Sequence, residues 1–229
     1  TARLSIDPGP GVELIYLEDL LPLVSSFQKT ITFLSLLLLP SWVLERFVRR
    51  IHTHAAADLL TIIFSSGSTG EPKGVMLSHG NIACNLESMI QAANFAQRDR
   101  ILGVLPFFHS FGYAVTLWGP LQIGASAVYH ADPRQAKEIG ELCCKHQATI
   151  YLSTATFLRF CLRKCDKEDF KSLRLLICGA EKLPPALAVE FAQRFGVMPM
   201  EGYGCTELSP VVSTNLADQP LAGLTEGFN

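Results

Sequence analysis

The residues with the most chemical potential sit close together in the decapeptide Ser65-Ser66-Gly67-Ser68-Thr69-Gly70-Glu71-Pro72-Lys73-Gly74. A stretch so poor in bulky side chains lets backbone N–H groups, hydroxyls and the Lys73 ammonium converge on an anion. A polyphosphate is the guest that would use all of them. The competing reading is a flexible turn, because Ser and Gly are what linkers are made of. Against it, Pro72 stiffens the exit and Lys73 fixes a charge where a linker gains nothing from one. The pattern is not a Walker A loop, which needs Gly directly before the Lys and Ser or Thr directly after it; those places hold Pro72 and Gly74.

Two later stretches could join this one. Pro106-Phe107-Phe108-His109-Ser110-Phe111-Gly112 offers an imidazole among aromatic rings. A lone histidine is more often structural than functional, although near a carboxylate it is a directional donor. Glu201-Gly202-Tyr203-Gly204-Cys205-Thr206-Glu207 is a second glycine-punctuated loop, and Gly179-Ala180-Glu181-Lys182-Leu183-Pro184 is a small-residue turn opening a helix. Taken singly, each could be an ordinary turn or helix start.

The elements that must position these stretches follow from periodicity. The β-branched run Thr61-Ile62-Ile63-Phe64 and the run Val75-Met76-Leu77 predict strands on either side of the Lys73 loop. Ser78 is a natural N-cap for a helix reaching about Phe95, with Ile82, Leu86, Met89, Ile90 and Ala93 on one face. Beyond it, strands over Ile101–Leu105, Ala125–Tyr129, Ala148–Leu152 and Leu173–Cys178 alternate with helices over Arg134–His146, Ala155–Cys165 and Pro185–Phe195, the last stopping at Gly196. Helix Ala155–Cys165 has Thr154 or Ser153 available as its cap. Such alternation, with nearly continuous apolar strands, predicts an α/β fold whose largely parallel sheets are covered on both sides by helices. Ligands in such folds collect at the carboxyl ends of the strands, which is where His109 and Gly179 fall.

Together these motifs resemble those of the adenylate-forming (acyl-activating) enzyme superfamily, which includes acyl-CoA synthetases, luciferases and peptide-synthetase adenylation domains. The resemblance covers roughly residues 12 to 215 and places the chain in the large N-terminal domain of such an enzyme. It implies that Ser66, Gly67, Ser68, Thr69, Gly70 and Lys73 hold the β- and γ-phosphates of ATP. Gly179, Ala180 and Glu181 belong to its adenine-binding segment, Tyr203 and Gly204 to the motif in which the tyrosine stacks on adenine. By the same resemblance Thr206 hydrogen-bonds the phosphates and Glu207 holds Mg²⁺. His109 orients a carboxylate substrate while Phe107, Phe108 and Phe111 line an acyl tunnel, so that Thr69, His109 and Glu207 are the expected catalytic set. Phe-His-Ser-Phe-Gly, Gly-Ala-Glu-Lys-Leu and Glu-Gly-Tyr-Gly-x-Thr-Glu look most like the synthetase part of bacterial bifunctional acyl-[acyl-carrier-protein] synthetase/2-acylglycerophosphoethanolamine acyltransferases. The activity implied is ATP-dependent activation of a long-chain fatty acid and its transfer to a phosphopantetheine thiol, on acyl carrier protein or, alternatively, CoA, in phospholipid acyl recycling.

Composition bounds these expectations. The chain has 229 residues, 48% of them hydrophobic, with a formal charge of −2, enough to bury a substantial core and a poor balance for nucleic-acid binding. Seven cysteines without Cys-x-x-Cys spacing suggest reduced thiols in a cytoplasmic setting. Residues 1–57 are expected to form an N-terminal part and residues 58–229 the nucleotide-binding core. Within the first part, Val12–Leu17 suggests a strand leading into a short helix through Leu20 to Ser25, and Ile31–Leu39 is apolar but too short to cross a bilayer. The following Trp42–Ile51 has helical apolar spacing with Arg46, Arg49 and Arg50 opposite. Such a helix either packs its apolar side on the core or lies on an anionic membrane, as peripheral contact with the bacterial inner membrane would require. Thr1 suggests a piece of a longer protein. The superfamily's ribose-binding aspartate, hinge and C-terminal lysine domain have no match here, and no histidine begins His-x-x-x-x-Asp, so the acyltransferase half is not expected. A fragment of this kind is expected to bind nucleotide weakly and turn over poorly. Two other classes stay open: a kinase or NTPase of different fold, and a non-catalytic membrane or scaffold module.

Overall fold

The computed structural model describes residues 15–44, 46, 54–65 and 71–215. The chain divides into two compact units, residues 1–53 and 54–229.

In the first unit, helix α1 (Leu17–Leu20) runs into a 3-10 turn over Leu21–Leu23, where a helix through Leu20 to Ser25 was expected. Helix α2 (Ser26–Leu38) takes in most of the apolar run ending before Pro40. Its start is chemically determined: Gln28 N–H donates to Ser25 Oγ at 3.2 Å while Ser25 N–H donates to Gln28 Oε1 at 2.9 Å, a reciprocal capping box. At 13 residues it rises only about 20 Å, and among the described residues no helix is long and apolar enough to cross a membrane. Helix α3 covers Ser41–Val43; residues 45 and 47–51 of the expected basic helix, and residues 12–14 of the expected first strand, lie outside the described residues.

The second unit begins with an antiparallel hairpin, β1 (Leu59–Ser65) and β2 (Lys73–Ser78), in register Ser65↔Lys73 and Ile63↔Val75. Lys73 and Gly74 are therefore strand residues, not loop residues as the glycine count suggested: their backbones pair with Ser65 and Phe64. Gly74 is needed there because a Cβ would meet the Ile62 side chain at 2.9 Å. Helix α4 (His79–Ala92) follows at once, with Ser78 as N-cap in a second capping box with Asn81.

Five strands of the main sheet are parallel: β3 (Arg100–Gly103), β4 (Ser126–Tyr129), β5 (Ile150–Ser153), β6 (Leu175–Cys178) and β7 (Pro199–Gly204). A sixth, β8 (Val211–Thr214), adds antiparallel to β7, giving the order β4-β3-β5-β6-β7-β8. The central strands are buried on both faces, and their alternation sorts two cores. Leu102, Tyr151 and Leu176 pack with α6 (Ala136–His146), α7 (Ala155–Lys164) and α8 (Pro185–Phe195). Ile101, Ile150, Leu152, Leu175 and Ile177 pack with α4 and with Ile63 and Leu77 of the hairpin. The α/β architecture with a mostly parallel, doubly covered sheet is thus as the apolar strands implied.

Between β3 and β4 the chain forms a π-helical stretch, Gly112–Trp118, continuing into helix α5 (Gly119–Ile123). No periodicity announced it. Side chains satisfy carbonyls along the stretch: Thr116 Oγ1 donates to Gly112 O at 2.7 Å and Tyr129 OH to Thr116 O at 2.8 Å. Tyr129 reaches there by crossing Gly103, where a Cβ would lie 2.6 Å from its ring.

The buried thiols are packing groups. Desolvation pushes Cys143 and Cys178 up to about 12, which leaves them unreactive. No cysteine among the described residues is in a disulfide.

Candidate functional site

The carboxyl ends of the parallel strands open into one cleft, a cavity of about 180 Å³. Its floor is apolar, from Met89, Leu152, Ile177 and Val211, and its rim is formed by His109, Ser110, Gly179, Ala180, Gly202–Thr206 and Thr214. His109 and Thr206 are nearly a hundred positions apart, and they meet because His109, Gly179 and Thr206 each follow a strand of one parallel sheet. Pockets that enclose a whole small molecule run to about 300–1,000 Å³, so this cleft has room for one end of an extended ligand.

The two downstream motifs meet directly: the Ser110 and Thr206 hydroxyls are 3.0 Å apart. Ser110 is buried, at 2% exposure, and Thr206 is half-buried, so the bond is shielded on the Ser110 side. Thr206 and Glu207 sit on a 3-10 turn, Thr206–Leu208, and strand β2, which carries Lys73, packs against that turn. The Lys73 hairpin and the Thr-Glu turn therefore stand on the same side of the molecule. The turn is held from behind by Asn85 of α4, whose amide bonds Leu208 O, Val211 O and Val211 N–H.

His109 is exposed on the cleft rim. Its Nδ1 accepts the Phe111 N–H at 3.3 Å, so the neutral ring carries its proton on Nε2 and presents a donor. Of the aromatic residues around it, only Phe111 lines the cavity. Phe107 packs edge-on against Tyr129, ring centroids 5.4 Å apart, and Phe108 is 83% exposed. Of the three rings expected along an acyl tunnel, Phe111 lines this cleft and Phe107 and Phe108 do not.

Glycine has different reasons at each place. At Gly179 a Cβ would stand 3.0 Å from the Phe111 ring, so this residue makes room for the aromatic side chain. At Gly204 a Cβ would run into the Pro210 carbonyl, across the turn closed by Cys205 N–H donating to Pro210 O at 2.9 Å. Ala180 adopts φ +63° without being glycine, a strain of about 1 kcal/mol, at the cleft rim. Glu181, expected beside the adenine, spends one carboxylate oxygen on α7: Thr156 N–H and Oγ1 both donate to Oε2, at 2.9 and 2.8 Å. Glu201–Gly204, read from the sequence as loop, is the end of β7, with Gly202↔Thr214 and Tyr203↔Ser213 paired to β8. Tyr203 remains 54% exposed beside the cleft.

Ser66, Gly67, Ser68, Thr69 and Gly70 lie outside the described residues. At the entrance to that segment, among the described residues, the Ser65 hydroxyl oxygen is buried with no hydrogen-bond partner. A buried donor without an acceptor is costly, and an anion held here would supply one. Among the described residues no group of three His, Cys, Asp or Glu could hold a metal by protein ligands alone. A lone exposed Glu207 fits Mg²⁺, which is commonly held by one or two carboxylates together with substrate phosphates and water. Sequence reasoning missed Asn85 and the Ser110–Thr206 bond. Asn85 had left a trace, being polar at a position three after Ile82 and four before Met89 on an otherwise apolar stripe.

Residues 26–226 match the family model of AMP-binding enzymes. The chain is 32% identical over 182 residues to the medium-chain fatty-acid–CoA ligase of Escherichia coli, covering 78% of this chain and 31% of that one. It is 30% identical over 165 residues to the long-chain-fatty-acid–CoA ligase of Bacillus subtilis, covering 69% and 29%. Among solved structures, the anthranilate CoA ligase AuaEII in complex with anthranoyl-AMP superposes with a TM-score of 0.69 at 26% identity, over 75% of this chain and 34% of that one. The chain spans about a third of the length of the curated relatives it matches.

Proposed function

This chain belongs to the AMP-binding enzyme family, and from that premise we propose that it forms the nucleotide- and carboxylate-binding part of an adenylate-forming fatty acid–thiol ligase. In the proposed reaction a fatty carboxylate oxygen attacks the α-phosphorus of ATP, pyrophosphate leaves, and a thiol then takes the acyl group with release of AMP. The observation that carries this reading is the meeting of Ser110, beside His109, with Thr206 at 3.0 Å on the turn against which the Lys73 strand packs. A donor suited to a carboxylate and a hydroxyl pair then border one cleft, and the strand that carries a phosphate-directed cation packs against the turn on its rim.

The residues divide the work. Lys73, Ser65 and the segment 66–70 bind the outer phosphates, and Thr206 donates to them with its hydroxyl oriented by Ser110. Tyr203, with Gly179 and Gly202 beside it on the cleft lining, receives the base. His109 Nε2–H orients the incoming carboxylate, and Phe111, Met89, Leu152 and Ile177 exclude water from the reacting end. Mg²⁺, held by Glu207 and phosphate oxygens, would offset the negative charge that accumulates as pyrophosphate departs.

The apolar floor and the relatives named as fatty-acid–CoA ligases support a fatty acid with CoA as acceptor. The Phe-His-Ser-Phe-Gly, Gly-Ala-Glu-Lys-Leu and Glu-Gly-Tyr-Gly-x-Thr-Glu motifs favour acyl carrier protein as a second reading, with phospholipid acyl recycling as its setting. A non-hydrolysable acyl-sulfamoyl adenosine tests the carboxylate half: a long acyl chain should bind at least tenfold tighter than AMP, and equal affinities would reject a fatty acid substrate. Fatty-acid-dependent ATP–pyrophosphate exchange, followed by acceptor competition between CoA and holo acyl carrier protein, separates the two thiols. Release of ADP and phosphate instead of AMP and pyrophosphate would point to a kinase or NTPase and defeat the proposal.

A further inference from the structure

Helix α4 carries an amide where its apolar stripe should continue. Ile82, Leu86 and Met89 are buried, and Asn85 lies on the same stripe, half-buried. It is not turned to solvent. Its Nδ2 donates to Leu208 O at 3.1 Å and Val211 O at 2.6 Å, and its Oδ1 accepts the Val211 N–H at 3.1 Å. One side chain thus grips the segment immediately after Thr206 and Glu207, and uses both its donor and its acceptor ends to do so. The helix that bears it follows β2 without a break, since Ser78 is both the last residue of β2 and the N-cap of α4. Asn85 therefore belongs to the same continuous piece of chain as Lys73.

We propose that Asn85 is a positioning residue that sets the Thr206–Glu207 turn at a fixed separation from the Lys73 hairpin, so that both grip one magnesium nucleotide. The inference rests on the adenylation reading above. Without the amide, Leu208 O and both backbone groups of Val211 turn to water, and the turn loses its tie to the element carrying Lys73. Ser110 holds the Thr206 hydroxyl but stands on the loop after β3, so it is no substitute for that tie. Displacements of about 1 Å in such constellations are costly. A side chain that merely packs would weaken every nucleotide alike. A positioning residue weakens only ligands that span both elements, those with outer phosphates and metal.

The test is titration of the 229-residue chain with Mg·ATP and with AMP, for wild type, Asn85→Ala, Asn85→Asp and Lys73→Ala, beside urea unfolding of each. Asn85→Ala should weaken Mg·ATP about tenfold or more and leave AMP within about twofold. Asn85→Asp preserves shape and the acceptor for Val211 N–H while losing the donors, and should weaken Mg·ATP by at least about threefold in a folded protein. Parallel loss of both ligands overturns the proposal. So does Mg·ATP affinity unchanged in the Asn85 variants while Lys73→Ala loses it. If Lys73→Ala also leaves Mg·ATP binding unaltered, the adenylation reading itself falls, and this inference with it.

Discussion

The two edges of the main sheet are built on opposite plans. At the amino-terminal edge of β3, β5 and β6, Asp99 is 2% exposed, and its carboxylate accepts from Ala96 N–H, Thr149 Oγ1, and Arg174 Nε and a terminal guanidinium nitrogen, at 2.6–2.8 Å. Arg174 donates further to Asn94 O at 2.8 Å, and Thr149 accepts from Arg100 N–H at 3.0 Å. Charge is buried there and answered in full. At the carboxyl-terminal edge the chain offers glycines, a strained Ala180, and an exposed His109 and Glu207, and the separate hairpin packed against the Glu207 turn adds an exposed Lys73 and a buried Ser65 hydroxyl with no partner among the described residues. The first edge pairs its polar groups with one another and the second leaves them exposed, which is why the first should carry stability and the second binding.

The largest effect should come from breaking the first edge. Asp99→Ala strands a guanidinium that is partly solvated, and we expect a loss of about 3 kcal/mol in urea unfolding, toward the lower end for buried pairs, with Mg·ATP affinity of the folded protein unchanged within about twofold. Acid sharpens the same point. Burial raises the Asp99 pKa, but its bonds to Arg174, Ala96 and Thr149 outweigh that and hold it below its ordinary 3.8. A depressed carboxylate stabilises above its unfolded value and loses that contribution as pH falls through the folded one. The stability gap between wild type and Asp99→Asn should therefore be constant above about pH 5 and shrink below 3.8; a gap that widens on acidification would contradict this.

Lys73→Ala should do the reverse, weakening Mg·ATP about 30-fold, as loss of a charge-assisted bond of about 2 kcal/mol implies. Its urea midpoint should not move, because the side chain is exposed. Ser110→Ala removes the partner of the Thr206 hydroxyl and should cost about fivefold in Mg·ATP affinity, near 1 kcal/mol; calorimetric titration reads both. The smallest change tests whether a residue of the carboxyl edge can serve structure alone. Thr154, at the end of β5, caps α7 by accepting the Phe157 N–H at 3.4 Å, so Thr154→Ala should cost about 1 kcal/mol of stability and leave nucleotide affinity intact. If it impaired binding more than Ser110→Ala, Thr154 would be more than a helix cap and would belong with the binding groups of that edge.

Much of this was legible locally. Helix α8 begins at Pro185 and ends at Phe195, as its periodicity and Gly196 require, since Gly196 takes the left-handed φ of +79° that closes the helix. Ser78 caps where its position before an apolar stripe said it would, and of the two candidates Thr154 and Ser153 it is Thr154 that caps α7. The π-helical stretch was not legible, because its register is kept by Thr116 bonding back to Gly112 and by Tyr129 from the next strand. Nor was the strand β7 with its partner β8: glycines at 202 and 204 read as loop in isolation, and only pairing to a distant segment makes them extended.

Residue type and spacing alone determined the strand-helix alternation, the helix caps, and which short segments were rich in groups suited to phosphate and carboxylate, because those properties depend on interactions within about a turn of chain. Only the tertiary structure decided that Ser110 touches Thr206, that Phe111 faces the cleft while Phe107 and Phe108 do not, and that Asn85 holds the turn bearing Glu207. Those outcomes depend on which strand lies beside which in the sheet, and strand order is set by burial over the whole unit, not by any window of neighbouring residues.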